Sequence, residues 1–161
     1  MKFIADGMLG KSARWLRMLG HDVTYSIRFD DDELEVLAKN ENRVLLTRDL
    51  ELYRHAIAKG LNAFYVEGRT EAERLAELAR RFGIPLTVDL QNSRCPKCNG
   101  KILSIQKERI ANKIEPNTFS TYDSFWKCPI CGQVYWQGAH WVKIRVVLKQ
   151  ARENLEKMVE A

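Results

Sequence analysis

The sequence lacks any long apolar run. No stretch approaches the roughly 18 to 20 apolar residues of a membrane span, so no membrane partner is expected. An apolar leader core behind a basic start is also missing. The first residues, Lys2-Phe-Ile-Ala5, read as a strand, and a cytoplasmic protein is expected. Internal repeats and low-complexity tracts are absent, which excludes a solenoid. Cysteine is missing outside two pairs, Cys95-Pro-Lys-Cys98 and Cys128-Pro-Ile-Cys131. Disulfides do not suit a reducing compartment, so the paired spacing reads as zinc.

What is present is a 161-residue chain with 45% hydrophobic residues, enough for one domain with a real core, or one domain plus a small appendage. Charge is unevenly spread. Residues 1–92 carry 14 Lys and Arg against 15 Asp and Glu, net −1. Residues 93–161 carry 12 against 6, net +6. A basic half suggests an anionic partner, most simply nucleic acid; a solvated basic surface is the plainer alternative.

Short apolar runs alternate with helix-period segments over the first 90 residues. Strands are expected at Lys2–Ala5, Val23–Ser26, Val44–Thr47 and Ala63–Val66, with a short last one at Leu86–Val88. Helices are expected after Gly10, from the acidic run Asp30-Asp-Asp-Glu33, over Leu50–Lys59 and over Thr70–Phe82, with Gly20, Gly60 and Gly83 as terminators. Single-helix crossovers imply a small doubly wound parallel sheet, an α/β fold with helices on both faces. The pattern changes near Gln91–Ser93. The Cys pairs enclose 29 residues with β-prone pieces at Lys101–Ile105 and Thr118–Trp126, as in a zinc ribbon. A C-terminal helix is expected over Val142–Met158. The chain thus divides into a small α/β part, 1–92, and a part made of ribbon and helix, 93–161.

Each Cys-x-x-Cys offers two thiolates at a turn stiffened by Pro96 or Pro129. Two such turns give the closed four-sulfur site of structural zinc. The acids are the second constellation. Asp6 ends the first strand, Asp49 follows the third, Glu67 follows the fourth, and Asp30–Glu33 opens a helix. Ligands of parallel α/β sheets bind beyond the carboxyl ends of the strands, so these acids would meet at one edge. Clustered carboxylates repel unless cations neutralise them, which suggests magnesium or manganese. The plainer reading is that each acid caps the next helix. Lys11, Arg14 and Arg17 recur every three residues and would present one basic face to phosphates. His140 follows the last Cys pair and could touch RNA, or only brace the ribbon. Ala5-Asp-Gly-Met-Leu-Gly10-Lys11-Ser12 matches a relaxed phosphate loop, but Asp6 would aim a carboxylate at the phosphates, so it is set aside.

The pieces Phe3-Ile-Ala-Asp6-Gly-Met-Leu-Gly10-Lys11, Ala13-Arg14-Trp15-Leu-Arg17, Arg43-Val-Leu-Leu-Thr47-Arg48-Asp49, both Cys pairs and Tyr135-Trp136-x-Gly138-x-His140 follow in order along nearly the whole chain. Together they resemble the Mut-seven C-terminal RNase family of PIN-like proteins. The resemblance implies a PIN-like α/β domain with a zinc ribbon, and a metal-dependent ribonuclease. Its acids carry over to Asp6, Asp31 and Asp49; the fourth, Glu67 or Glu73, stays open. On this reading Asp6, Asp31 and Asp49 hold magnesium or manganese, and Lys11 and Arg48 assist at the reacting phosphate. Arg14, Arg17 and His140 would bind substrate, and Phe125, Trp126, Tyr135 and Trp136 are candidates for base stacking. The expected activity is hydrolysis of single-stranded RNA. The alternative is a non-catalytic RNA- or ribosome-binding module on the same scaffold.

Overall fold

The computed structural model describes residues 1–160. Four parallel strands form the main sheet: β1 (Lys2–Ala5), β2 (Asp22–Tyr25), β3 (Val44–Thr47) and β4 (Ala63–Tyr65), in the order β2-β1-β3-β4. Helices α1 (Gly10–Met18), α2 (Asp31–Asn40), α3 (Leu50–Ala58) and α4 (Glu71–Phe82) alternate with them.

Alternation along the strands builds two cores. Phe3 and Ala5 of β1 and Leu46 of β3 face one side, with Leu9, Leu16, Leu75 and Leu78. Ile4 and Leu45 face the other, against Leu34 and Ala38 of α2 and Leu52 and Ala56 of α3. Successive strand residues point to opposite faces, so near-continuous apolar runs are what a doubly covered sheet requires.

The expected strand at Leu86–Val88 does not form. Pro85 opens the segment without an amide donor. Leu86 instead drops into the first core, and its carbonyl accepts a bond from Arg152 Nη1 at 2.8 Å. That arginine belongs to α6 (Trp141–Glu160), whose Leu148 and Ala151 are buried in the core with Phe3. The C-terminal helix therefore packs on α4 of the α/β layer, although its sequence groups it with the cysteine segment.

That segment carries a three-stranded antiparallel sheet: β5 (Leu103–Ile105), β6 (Phe125–Lys127) and β7 (Val134–Tyr135). The stretch from Thr118 was expected to be β-prone. Its first part is helical, in α5 (Pro116–Thr121), because proline is preorganised for the first helical position. Only Phe125–Lys127 pairs as a strand.

Candidate functional site: an acidic sheet edge and a four-cysteine cluster

Asp6 follows β1 at the carboxyl edge of the sheet, is 5% exposed and has both carboxylate oxygens hydrogen-bonded. Its Oδ1 accepts from the Met8 amide at 2.9 Å, capping a short 3-10 turn. Its Oδ2 accepts from the Arg48 amide at 3.0 Å and from the Thr47 hydroxyl. Thr47, wholly buried, in turn accepts from the Asp49 amide at 2.9 Å. One hydroxyl thus links the ends of β1 and β3. Thr47 is a positioning residue that the acid pattern alone did not flag; its signal is a Thr-x-Asp at the end of an apolar strand.

Asp49 caps α3, its Oδ1 accepting from the Glu51 and Leu52 amides at 2.9 and 3.2 Å. Asp30 caps α2 through the Glu33 amide at 2.8 Å, which leaves Asp31 as the first helical residue with an exposed side chain. Burial, and then the charges of Asp49, Glu35, Asp6 and Asp30, hold the Asp31 carboxyl above the usual carboxylate range. Asp6, Asp31 and Asp49 therefore share one electrostatic neighbourhood. Their oxygens do not all come within 4.8 Å of one another; among the described residues only the cysteines form such a group.

Glu35, rather than Glu67 or Glu73, is the glutamate whose charge reaches Asp31. Glu73 closes the α4 capping box, its Oε2 accepting from the Arg69 and Thr70 amides. Glu67 is exposed in the loop after β4. Glu35 lies one helical turn beyond Asp31, 4% exposed, bonded to His55 Nδ1 at 2.8 Å and 3.6 Å from Lys59 Nζ. The i,i+4 spacing from Asp31 was its sequence signal.

The basic residues diverge. Lys11 and Arg14 are exposed along a cleft beside Gly7 and Met8. Arg48 directs Nη1 to the carbonyls of Val66 and Gly68, clamping the loop after β4. Arg17 departs from its expected phosphate role. It is 6% exposed; Nε and Nη2 donate to the Val23 carbonyl at 3.0 and 2.7 Å, and Nη1 to the Pro96 carbonyl at 2.8 Å. Spacing of three put it with Lys11 and Arg14, but each such step turns the helix by only about 300°, so the third member faces inward.

Arg17 is one of several ties between α1, β2 and the cysteine segment. Asn99 accepts from the Val23 amide at 3.0 Å and donates to Asp22 at 2.8 Å. Ser93 donates to the Met18 carbonyl. Asp22 begins β2 opposite Lys2, whereas Asp6 follows the end of β1. The cysteine segment is therefore fastened to the sheet edge opposite the acids. His140 lies on that far side, in an apolar cleft of about 180 Å³ with Trp126, Trp136 and Trp141. Phe125 is buried in the small core beneath, against Trp136.

The Sγ atoms of Cys95, Cys98, Cys128 and Cys131 lie within 4.8 Å of one another. All four are free thiols, with Cys98–Cys128 at 3.4 Å and Cys95–Cys131 at 3.7 Å. The Gly100 amide opposes the shift, but burial and three neighbouring thiols push the Cys98 thiol up to about 12. A soft divalent cation would let all four ionise together. This donor set can hold a metal such as zinc and is consistent with a zinc ribbon. Tyr135 adds an outer bond, its hydroxyl 2.9 Å from Cys95 Sγ.

An α/β chain with acids on one sheet edge and a four-cysteine cluster on the other is the setting in which the comparison with known families falls. The model of the Mut7-C RNAse domain matches residues 1–148, and the chain belongs to that family. The family suggests ribonuclease activity, with RNA as the substrate. No curated protein and no solved structure matches the chain. No helix among the described residues is long and apolar enough to cross a membrane.

Proposed function

We propose that this chain is a metal-dependent ribonuclease on a PIN-like scaffold, hydrolysing phosphodiester bonds of single-stranded RNA. The observation that carries the reading is the carboxylate edge, where Asp6 follows β1, Asp49 follows β3 and Asp31 opens α2, its carboxyl held above the ordinary range by burial and then by Asp49, Glu35 and Asp6. Hard oxygen donors under mutual repulsion suit magnesium or manganese, and Asp6, Asp31 and Asp49 are the residues that would hold it. Such an ion, when bound, lowers the pKa of water and neutralises charge on the phosphate.

The chain's own residues do the positioning. Thr47 and the amides of Met8 and Arg48 hold Asp6 in one rotamer. A carboxylate has about four acceptor sites, so these bonds leave about one lone pair for a cation. Arg48 fixes the loop bordering the edge, and Lys11 and Arg14 offer charge to the strand. Cys95, Cys98, Cys128 and Cys131 hold a structural zinc, and the basic segment 93–140, with seven Lys and Arg against three acids, adds RNA affinity.

One observation favours the alternative of an RNA- or ribosome-binding module without catalysis: Asp6 and Asp49 both cap backbone turns, and the three aspartates do not close to joint ligand distance. The test is cleavage of a mixed RNA pool with magnesium or manganese, against Asp31→Asn and Asp6→Asn proteins. Metal-dependent cleavage lost in both variants supports the enzyme. RNA binding without cleavage by the unsubstituted protein selects the binding module.

A further inference from the structure

We infer that the cleft between the N-terminal ends of α1 and α4 binds an internal phosphodiester of the RNA strand, adjacent to the one cleaved, through Lys11, Arg14 and Arg69. This rests on the ribonuclease reading and extends it to where the strand runs.

The carboxyl edge of the sheet carries two signs of charge on its two faces. Asp31 and Asp49 belong to α2 and α3, which cover one face. α1 and α4 cover the other and enclose a cleft of about 630 Å³ lined by Gly7, Met8, Lys11, Arg14, Arg69 and Arg74. Asp6 immediately precedes Gly7, so the cleft begins where the acids end. The one acid in its wall, Glu71, is already engaged by Ser12 Oγ at 2.8 Å and Arg74 Nη1 at 2.9 Å. Arg74 also directs Nε to the Gly68 carbonyl at 2.8 Å. Lys11, Arg14 and Arg69 are left exposed, and none of them forms an ion pair among the described residues.

The loop that carries Arg69 is fixed to an unusual degree for an exposed turn. Glu77 accepts from the amides of Glu67 and Gly68 at 3.2 and 3.1 Å. Glu73 accepts from the amides of Arg69 and Thr70 at 2.7 and 3.3 Å. Arg48 and Arg74 both donate to the Gly68 carbonyl. A Cβ on Gly68 would lie 2.7 Å from the Arg74 backbone nitrogen, so only glycine lets the loop sit this close to α4. The cleft floor is equally tight: a Cβ on Gly10 would lie 2.7 Å from the Tyr25 hydroxyl, which donates to the Gly7 carbonyl. Four side chains thus immobilise the backbone beneath one unpaired guanidinium. A fixed backbone removes the loop's share of the ordering cost, leaving only the side chain to order on meeting an anion, and a guanidinium matches a phosphate with two parallel N–H donors.

The test measures binding of a short single-stranded RNA to the Asp31→Asn protein in chelator, where nothing is cut, as a function of salt. Adding Arg14→Gln and Arg69→Gln together should weaken binding at least about tenfold and reduce the salt slope by about 0.7, since the cleft holds one phosphate and each single-strand phosphate contact contributes about 0.7. Arg69→Lys should keep most of the affinity, and Arg54→Gln, on α3, should change nothing. Thermal melts confirm that every variant is folded. The loss should be the same for 5′-hydroxyl and 5′-phosphorylated RNA. Unchanged affinity and slope in the double variant would overturn the inference, as would a loss confined to 5′-phosphorylated RNA, or no RNA binding by the parent. Cleft-dependent binding with no cleavage by the unsubstituted protein would support the cleft while removing the nuclease reading.

Discussion

Asp6→Asn and Asp31→Asn should move stability in opposite directions. Asp6 is 5% exposed and accepts from the Met8 amide, the Arg48 amide and the Thr47 hydroxyl. Thr47 cannot turn its proton elsewhere, because its oxygen already accepts from the Asp49 amide. An asparagine keeps one acceptor and gains a two-proton donor. With its carbonyl toward Arg48 and Thr47, its NH₂ meets the Met8 amide; the other orientation sets it against two donors. At least one buried donor is left unmatched, which costs about 1–3 kcal/mol. Removing the Asp6 charge relieves repulsion with Asp31 and Asp49, but both are exposed, so that gain is at most about 0.5 kcal/mol. The net for Asp6→Asn is a loss of about 0.5–3 kcal/mol, or roughly 1–12 °C in melting temperature for a chain of this size. Asp31 accepts no hydrogen bond and sits among four acids, so Asp31→Asn should hold or raise stability. The sign follows from linkage. A carboxyl raised in the folded state disfavours folding once ionised, so its cost is present above its folded pKa and vanishes at low pH. Denaturant melts at neutral pH in chelator read both values. An Asp6→Asn protein as stable as the parent, or a destabilised Asp31→Asn protein, would refute the assignment of Asp6 as a fastened acid and Asp31 as a repelled one.

In cleavage assays Asp6→Asn, Asp31→Asn and Asp49→Asn should each lower the metal-dependent rate at least about a hundredfold; if Asp31→Asn alone is silent, Asp30 or Asp32 takes its role. Metal analysis should find one zinc per chain, and Cys128→Ser should unfold the cysteine segment before the α/β layer, because metal free energy is local folding free energy; disulfides in the native protein would contradict this. A protein cut after residue 92 loses Leu148 and Ala151 from the first core and should show no cooperative melt. His21, lowered to about 4 by burial and then by the N-terminal ammonium, has its Nε2 buried without a partner. Its unfolded state takes up a proton first, so stability should fall as pH drops from about 6.5 to about 4; melts across that window should be flatter for His21→Phe than for the parent.

The parallel strands were legible because a doubly covered sheet leaves short apolar runs, and Gly20, Gly60 and Gly83 mark helix ends with positive φ. The four-cysteine cluster was legible because two Cys-x-x-Cys turns allow little else. Periodicity could not say where a helix docks. The stripe of Leu148, Ala151 and Leu155 predicts a buried face, but only the tertiary fold shows that the partner is α4. That docking also took Leu86, leaving no fifth strand. Arg17 is the sharper case. Its spacing from Lys11 and Arg14 resembles a phosphate-binding face, yet the carbonyls of Val23 and Pro96 that claim it are set by contacts six and 79 residues away. Glu35 and Thr47 were missed because a lone Glu in a helix and a Thr at a strand end look ordinary in sequence.

The separation of the two edges decides which cations can serve the acids. α1 runs from the carboxylate edge at Gly10 to the cysteine segment at Arg17, and its nine residues span about 13 Å. The Debye length at physiological salt is about 8 Å. The net positive charge of residues 93–140 is therefore screened from Asp6, Asp31 and Asp49, and cannot relieve the repulsion that adds to burial in holding the Asp31 carboxyl up. It can act on an RNA strand only where the strand itself reaches the far edge. On the proposed reading, charge neutralisation at the acids would come from groups on their own edge: a bound cation, Arg48, and the lysine and arginines of the α1–α4 cleft. On the proposed reading the basic segment and the basic cleft would be two separate devices: one lends affinity where the strand reaches the far edge, and the other fixes the strand beside the carboxylates.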